Sequence, residues 1–366
     1  MERVLCTKAN YLADILGYDV HIVLEEQHLP ENLFFNFSPK IVIHSLDMNI
    51  PVRKPWQLFS RTKYEKEYEK KLSGLLENIK PDITVGMFGN EARFLYKLKD
   101  GSKKILEFHF TKYYLKYLGQ SLIHDKYRII RKLWLRTLLW HEEYLARKYE
   151  HIVLLTEKDK QLWGGGDKFE VIPNPVSFSS TSEKKADLDN HVILSAGRLV
   201  IPKGFDFLIQ AFSLLHKDFP TWKLYIYGEG HDKDYFQDLI NQLSLQDAVF
   251  LKKPVPDIEN ELIKSSLFVL PSLYEGFGLV LVEAMSYGIP CVAFDCECGP
   301  SDIIKDNVDG FLAATKNTRE LAEKMKLLME NKDLRLQMGA EAKKNVKRFE
   351  IPVVMNLWSK YFKSGE

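Results

Sequence analysis

The chain has 366 residues, 45% of them hydrophobic and 28% charged, with a formal net charge of +1. That balance excludes fibrous and disordered classes, and it lacks the bulk positive charge of a nucleic-acid binder. No apolar run approaches the ~20 residues of a membrane span, no signal-peptide pattern is read, and four cysteines at this length fit a reducing, cytoplasmic compartment.

Residues 1–17 read as a helix: Leu5, Ala9, Leu12, Ala13 and Leu16 recur at helical spacing, and Gly17 ends the run. Val20, Ile22 and Leu24 then alternate as a strand. A doubly wound α/β unit normally begins strand first, so this opening departs from the usual order. Strand-like runs follow at KIVIHSL, DITVGMF, KILEFHF, HIVLLTE and FEVIPNP. Before HIVLLTE comes the most basic stretch. Across 112–136, Lys112, Lys116, Lys126, Arg128, Arg131, Lys132 and Arg136 face only Asp125. Tyr113, Tyr114, Tyr117, Tyr127, Trp134 and Trp140 are interleaved with these cations or follow them closely. Arg128, Lys132 and Arg136 share one helical face; Ile130, Leu133, Trp134, Thr137 and Leu138 form another. Cations beside aromatics over 112–148 suit an anionic membrane surface. The same pattern describes the solvated side of a long packed helix, with Lys and Arg stems covering the core.

PVSFSSTSEKKADLDN, residues 175–190, is polar and Ser-rich between two strand signals and reads as a linker. Beyond it come the strands VILSAGR, KLYIYGE, VFLKK, LFVLPS and PCVAFD, with helices such as DFLIQAFSLLHKDF and TRELAEKMKLLME between them. This alternation predicts an α/β protein with parallel sheets covered on both faces, in two domains. Charge divides unevenly: residues 1–173 carry 28 Lys and Arg against 23 Asp and Glu, and the remainder 23 against 27.

The second half concentrates the chemistry. In LFVLPSLYEGFGLVLVEAM a buried strand gives way to Gly276 and Gly278, which bracket a helix start, a place where free amides and positive dipole suit phosphate. Glu283 interrupts the apolar helix that follows, with Leu279, Val280 and Tyr287 as face neighbours. Such a glutamate is a solvated edge, half of an internal ion pair, or a ligand-binding group. Arg198 and Lys203 lie in the turn after VILSAGR; two cations at a strand's carboxyl end hold a diphosphate, or are surface charges. Gly228 closes the strand YIYGEG at the same edge. Asp232-Lys-Asp234 has the spacing of a metal-binding pair, but its place before YFQDLINQL reads as a helix cap or first-turn acid. Cys296-x-Cys298 has no second pair to complete a zinc site.

Together the GR…KG turn at 197–204, the GEG turn at 228–230, EGFGLVLVEAM with glutamates eight positions apart, and GPSDII…DGFLA resemble the retaining glycosyltransferases of family 4 in order and spacing. The resemblance spans essentially the whole chain and is most specific over 191–315. It implies the GT-B fold: two Rossmann-like parallel-sheet domains facing a central cleft. The implied units are an acceptor-side domain at 1–174, the linker at 175–190, a nucleotide-sugar-binding domain at 191–345, and a C-terminal helix within 346–366 packing back on the first domain.

It also implies roles. Arg198 and Lys203 grip the donor diphosphate, Glu275 meets the transferred sugar's hydroxyls, and Glu283 holds the ribose. Gly197, Gly228, Gly276 and Gly278 shape the donor site, and backbone amides around Phe277 and Leu279 face the sugar and phosphates. His109, at the end of KILEFHF, positions the sugar; read alone, such a histidine is more often structural. No metal and no cofactor beyond the nucleotide sugar is implied. Lys252-Lys253 stands where relatives usually carry Gly beside the nucleotide base. MERVLCTKANYLA resembles the family's first helix, so the resemblance implies that the usual first strand and Gly-rich turn are missing.

The expected activity is transfer of a hexose or N-acetylhexosamine from a UDP-sugar to a lipid-linked or polysaccharide acceptor, as in lipopolysaccharide or capsule synthesis. The expected place is the cytoplasm or the inner face of the plasma membrane. A nucleotide-sugar epimerase or a phosphorylase of the same fold, and an inactive sugar-nucleotide-binding scaffold, are the alternatives; no pyridoxal-lysine motif supports a phosphorylase.

Overall fold

A computed structural model describes residues 2–26, 36–49, 62–112, 114, 128–176, 184–255 and 258–364, with backbone alone for 128–132. The opening helix, Glu2–Asp14, buries Val4, Ala9 and Ala13, and Gly17 takes the chain out of it at φ 71°. Strands β1 (His21–Glu26) and β2 (Val42–Met48) then pair in parallel, Ile22 against Ile43. Strands β3 (Ile83–Gly86), β4 (Lys103–Glu107), β5 (His151–Leu154) and β6 (Phe169–Val171) form a separate parallel sheet in that order. The first half therefore carries two sheets rather than the single one expected. Side chains join what no backbone ladder does: Leu46 and Met48 of β2 share a core with Leu106, Ile152 and Leu154, and Asn90 Nδ2 donates to Glu25 of β1 at 2.8 Å.

The second half is one six-stranded parallel sheet of β7 (Val192–Ala196), β8 (Lys223–Tyr227), β9 (Val249–Lys252), β10 (Leu267–Leu270), β11 (Cys291–Asp295) and β12 (Gly310–Ala314), ordered β12-β11-β10-β7-β8-β9. All four residues of β10 are buried. Leu267 and Val269 enter one core with the helices Phe205–Leu215 and Thr318–Glu330; Phe268 and Leu270 enter the opposite core with the helix Leu279–Ser286. This two-residue period, apolar on both faces, is what a central parallel strand requires. The strand order reverses between β7 and β10, and ligands of such sheets bind at the carboxyl ends beside that switch point.

The last helix, Ile351–Lys363, lays Val354, Met355 and Trp358 against Ile105, Val153 and Ile172 of the first half. The chain reaches it along the helix Lys332–Asn345 and a short 3-10 turn. The polar crossover is anchored at both ends. Val176 N donates to Phe349 O at 2.8 Å, Ala186 N to Tyr287 O at 3.1 Å, and Leu188 is buried in the second-half core. Its centre, 177–183, lies outside the described residues. No helix among the described residues is long and apolar enough to cross a membrane.

Candidate active site

Three glycine turns at the carboxyl edge of the six-stranded sheet are held in place by backbone contact. Gly197 N donates to Tyr227 O and Leu199 N to Glu229 O. A Cβ on Gly228 would sit 1.9 Å from Gly197 O, and one on Gly204 2.0 Å from Pro271 O, so no side chain fits at either place. These contacts draw the ends of β7, β8 and β10 together. Arg198 is exposed there. Lys203, in the 3-10 turn Ile201–Lys203, donates from Nζ to Glu275 Oε1 at 2.6 Å. The turns after β7 and β10 thus present a cation and a carboxylate as a pair, with Tyr274 beside them. Burial pushes the Tyr274 hydroxyl pKa up, against the opposing pull of Lys203 and Arg198.

Gly278, at φ 99°, starts the helix Leu279–Ser286, whose first turn has no side-chain cap. Its leading amides are therefore open to an anion. Phe277 is buried edge-on against Phe349, which fixes the turn from below. Glu283 lies one turn into the helix, 2% exposed, and burial moves its pKa up to about 7, with Arg3 opposing. The structure gives it a protein partner: the Arg3 guanidinium, from the opening helix of the other half, donates to Glu283 Oε1. Of the readings open in the sequence, the solvated edge is overturned, because the carboxylate is buried and paired.

The first half also meets this edge through its backbone. A Cβ on Gly276 would lie 2.3 Å from His109 O and 3.2 Å from Phe110 Cα, so the backbone after β4 rests directly on the Gly276 turn. His109 lies two residues past the end of β4 rather than in it. Further contacts run along the same seam. Glu157 N donates to Asp302 Oδ1 at 2.9 Å, Lys158 pairs with Asp295 at 2.9 Å, and Thr111 Oγ1 lies 3.3 Å from Cys298 Sγ. Burial drives the Cys296 and Cys298 thiols up, Cys298 to about 12, so neither is a ready nucleophile.

As expected, Asp232 stands at the N-cap position and Asp234 in the first turn of the helix Lys233–Gln242; the Asp232 carboxylate makes no capping bond, and its Oδ2 accepts from Ile201 N at 2.8 Å, which secures the Lys203 turn. On the helix Arg128–Ala146, Leu133, Trp134 and Trp140 are exposed, as is Arg136, while Leu138 is half-buried. Tyr113, Lys116, Tyr117, Lys126 and Tyr127, and the side chains of Arg128, Arg131 and Lys132, lie outside the described residues. Lys252, at the end of β9, sits about equally over Phe250 and Tyr225, 5.5 and 5.6 Å from their ring centroids. Among the described residues no group of three His, Cys, Asp or Glu side chains is arranged to hold a metal ion. Sequence reasoning missed Arg3, Lys8 and Glu107; a charge inside the apolar run KILEFHF was the available signal for Glu107.

The family profile described as glycosyl transferases group 1 matches residues 179–345. An uncharacterized glycosyltransferase of Haemophilus influenzae is 32% identical over 363 residues, covering 98% of this chain and 94% of that protein. The N-acetylgalactosamine-N,N'-diacetylbacillosaminyl-diphospho-undecaprenol 4-alpha-N-acetylgalactosaminyltransferase of Campylobacter jejuni is 26% identical, covering 95% of this chain and 92% of its own. The solved structure of a mutant S. aureus TarM, in complex with fondaparinux, alpha-GlcNAc-glycerol and UDP, overlays with a TM-score of 0.66 at 25% identity. That overlay covers 81% of this chain and 59% of TarM. With a relative this similar along nearly its whole length, and two parallel-sheet halves in the GT-B arrangement, the chain belongs to the group 1 glycosyltransferases and is a sugar-transferring enzyme.

Proposed function

We propose that this enzyme transfers a hexose or N-acetylhexosamine from a UDP-sugar to a lipid-linked or polysaccharide acceptor, with retention at the anomeric carbon. Residues 191–345 bind the donor and residues 1–174 face the acceptor. The observation that carries the reading is the convergence of Arg198, the Lys203–Glu275 pair, the Gly278 helix start and Glu283 on one sheet edge, with His109 closing on Gly276. Glu283 takes the ribose hydroxyls, Arg198 and Lys203 the diphosphate, and Glu275 the sugar hydroxyls. UDP in the TarM complex supports the donor class. The alpha linkage and diphospho-undecaprenol in the name of the C. jejuni relative support retention and a lipid-linked acceptor.

In the reaction the C1–O bond to the diphosphate breaks and a C1–O bond to the acceptor forms on the same face. The acceptor's proton passes to the departing phosphate oxygen. Charge grows on the diphosphate as it leaves, and Arg198 and Lys203 offset it without a metal ion. Exposed Trp134, and Trp140 one turn from exposed Arg136, support contact with an anionic lipid surface.

The test is a panel of UDP-sugars with undecaprenyl-linked and polysaccharide acceptors, the product's anomeric configuration being read by NMR. An α-linked product, lost in both Glu275→Ala and Arg198→Ala while the protein stays folded, is expected. Transfer retained in both variants, or acceptor-free conversion of the UDP-sugar to an epimer, overturns the reading. Flotation with anionic and neutral liposomes tests the surface; no binding to either removes that part.

A further inference from the structure

The end of β4 carries a buried charge that the proposed chemistry does not use. Glu107, the last residue of the strand, is 2% exposed among Ile105, Leu106 and Phe108. Lys8 of the opening helix donates to both of its carboxylate oxygens, at 2.6 and 2.7 Å, and is itself 7% exposed. The same ammonium lies 4.1 Å from the centroid of the Trp358 ring on the last helix. Burial alone would raise the Glu107 pKa; Lys8 and His109 outweigh it and hold the carboxyl at about 2. The carboxylate is therefore ionised at every working pH. A buried ion pair of this kind is, on balance, no more stabilising than apolar side chains of the same shape. Stability alone does not account for its place in the core.

His109 supplies the missing reason. Its ring is 5% exposed, and Nε2 lies 3.4 Å from Glu107 Oε1. That buried nitrogen makes no hydrogen bond of good geometry, to Glu107 or to any other group. A distance of 3.4 Å is long for an N–H···O bond, and catalytic hydrogen bonds are often long before substrate arrives and tighten in the complex. The His109 carbonyl, meanwhile, is pinned against Gly276. Backbone and ring are thus referenced to opposite halves of the protein.

We infer that Glu107, itself fixed by Lys8, is the positioning residue for His109: it takes the Nε2–H and leaves Nδ1 as the accepting nitrogen for a hydroxyl of the transferred sugar. In a neutral imidazole one nitrogen donates and the other accepts, and the partner of the first sets the role of the second. An accepting Nδ1 selects a sugar hydroxyl, which has a proton to give, over a carbonyl or carboxylate, which does not. This inference rests on the reading that His109 meets the donor sugar.

The experiment uses the full chain labelled with nitrogen-15 histidine, and the double variant Lys8→Met/Glu107→Leu, which replaces the pair by apolar side chains of similar size. Long-range nitrogen–proton spectra are expected to show His109 as a single Nε2–H tautomer in the native protein and as a mixture in the double variant. Turnover of UDP-N-acetylglucosamine, UDP-glucose or UDP-galactose, whichever the native enzyme uses, is expected to fall about 10- to 100-fold in kcat. The KM for the donor and the thermal stabilisation by UDP should hardly change. Glu107→Gln, which keeps an accepting oxygen, should recover most of the rate and the single tautomer. An unchanged His109 signal in the double variant overturns the inference, as does an unchanged kcat. If the native protein turns over no UDP-sugar, the functional reading fails; the tautomer measurement still decides the positioning role.

Discussion

Replacing Glu283 by Gln separates the stability of this protein from its proposed chemistry. Glu283 is 2% exposed, and burial moves its carboxyl from 4.5 to about 7, with Arg3 pulling the other way. The native state then holds this proton more tightly than the unfolded chain does. Stability must fall as pH rises from about 4.5 through about 7. Each pKa unit corresponds to ~1.4 kcal/mol, so the buried charge costs about 3 kcal/mol by pH 8 and almost nothing below pH ~4. Gln keeps the shape and removes the charge. Arg3, whose side chain is 34% exposed, can then turn to water. Urea unfolding of both proteins at intervals from pH 4.5 to 8.5 should show the Gln variant gaining about 3 kcal/mol relative to native across that range. Costs of the amide that do not depend on pH cancel in the comparison. The same variant should bind UDP about 10- to 100-fold more weakly, because a neutral acceptor replaces a charged one for the ribose. A stability difference that stays flat with pH refutes the argument that burial governs this carboxyl; unchanged UDP affinity refutes its place in the donor site.

Three further outcomes are expected. Lys8→Met alone leaves Glu107 buried without its cation and should destabilise the fold by about 3–5 kcal/mol in urea, whereas Lys8→Met/Glu107→Leu should recover most of that; equal loss in both would show that packing, not charge, is at stake. Gly276→Ala places a Cβ 2.3 Å from a backbone oxygen that cannot swing away, so the halves must part there. Transfer should be lost while UDP still stabilises the protein against heat, and a variant with native turnover would contradict the contact. Arg3→Met frees Glu283 from a partly exposed partner, and isothermal titration should show UDP binding up to about tenfold tighter; weaker binding would mean that Arg3 itself holds the donor.

The second-half fold was legible because local signals agree there. The helix Thr318–Glu330 has the same bounds in sequence and structure, since Asn317 caps it by accepting from Glu320 N and Asn331 ends it. In β10 the run LFVLPS stops at Leu270, where Pro271 cannot continue the ladder. The first half gave less. KILEFHF reads as strand to Phe110, yet the structure stops it at Glu107, and β5 beside it pairs only as far as Val153. The division into two sheets has no local signature: β1 and β2 have ordinary strand composition, and which neighbour a strand lacks is decided by the whole chain's packing.

The site divides along the same line. Gly228 and Gly276 were readable because a turn that admits no Cβ leaves a glycine in the sequence, Gly278 because its φ of 99° favours one, and Arg198 and Lys203 because they sit close to such turns. The partners were not. Arg3 and Glu283 are 280 residues apart, Lys8 and Glu107 are 99. Periodicity could flag each carboxylate as a charge on an apolar element, but only the packing of the opening helix against both halves names the cation. That helix sends Arg3 to Glu283, at the carboxyl edge of the six-stranded sheet, and Lys8 to the strand below His109. Each cation meets a carboxylate that cannot stay charged in an apolar interior unaided. The two outcomes differ because the supply of compensating charge differs. The Lys8 ammonium, donating to both carboxylate oxygens, and a nearby imidazole hold Glu107 at about 2, while Glu283, with one contact from a partly exposed Arg3, rises to about 7. The well-compensated carboxylate is built to stay as it is. The poorly compensated one gains from a new partner, and ribose hydroxyls, which donate without needing to bring charge, are such a partner.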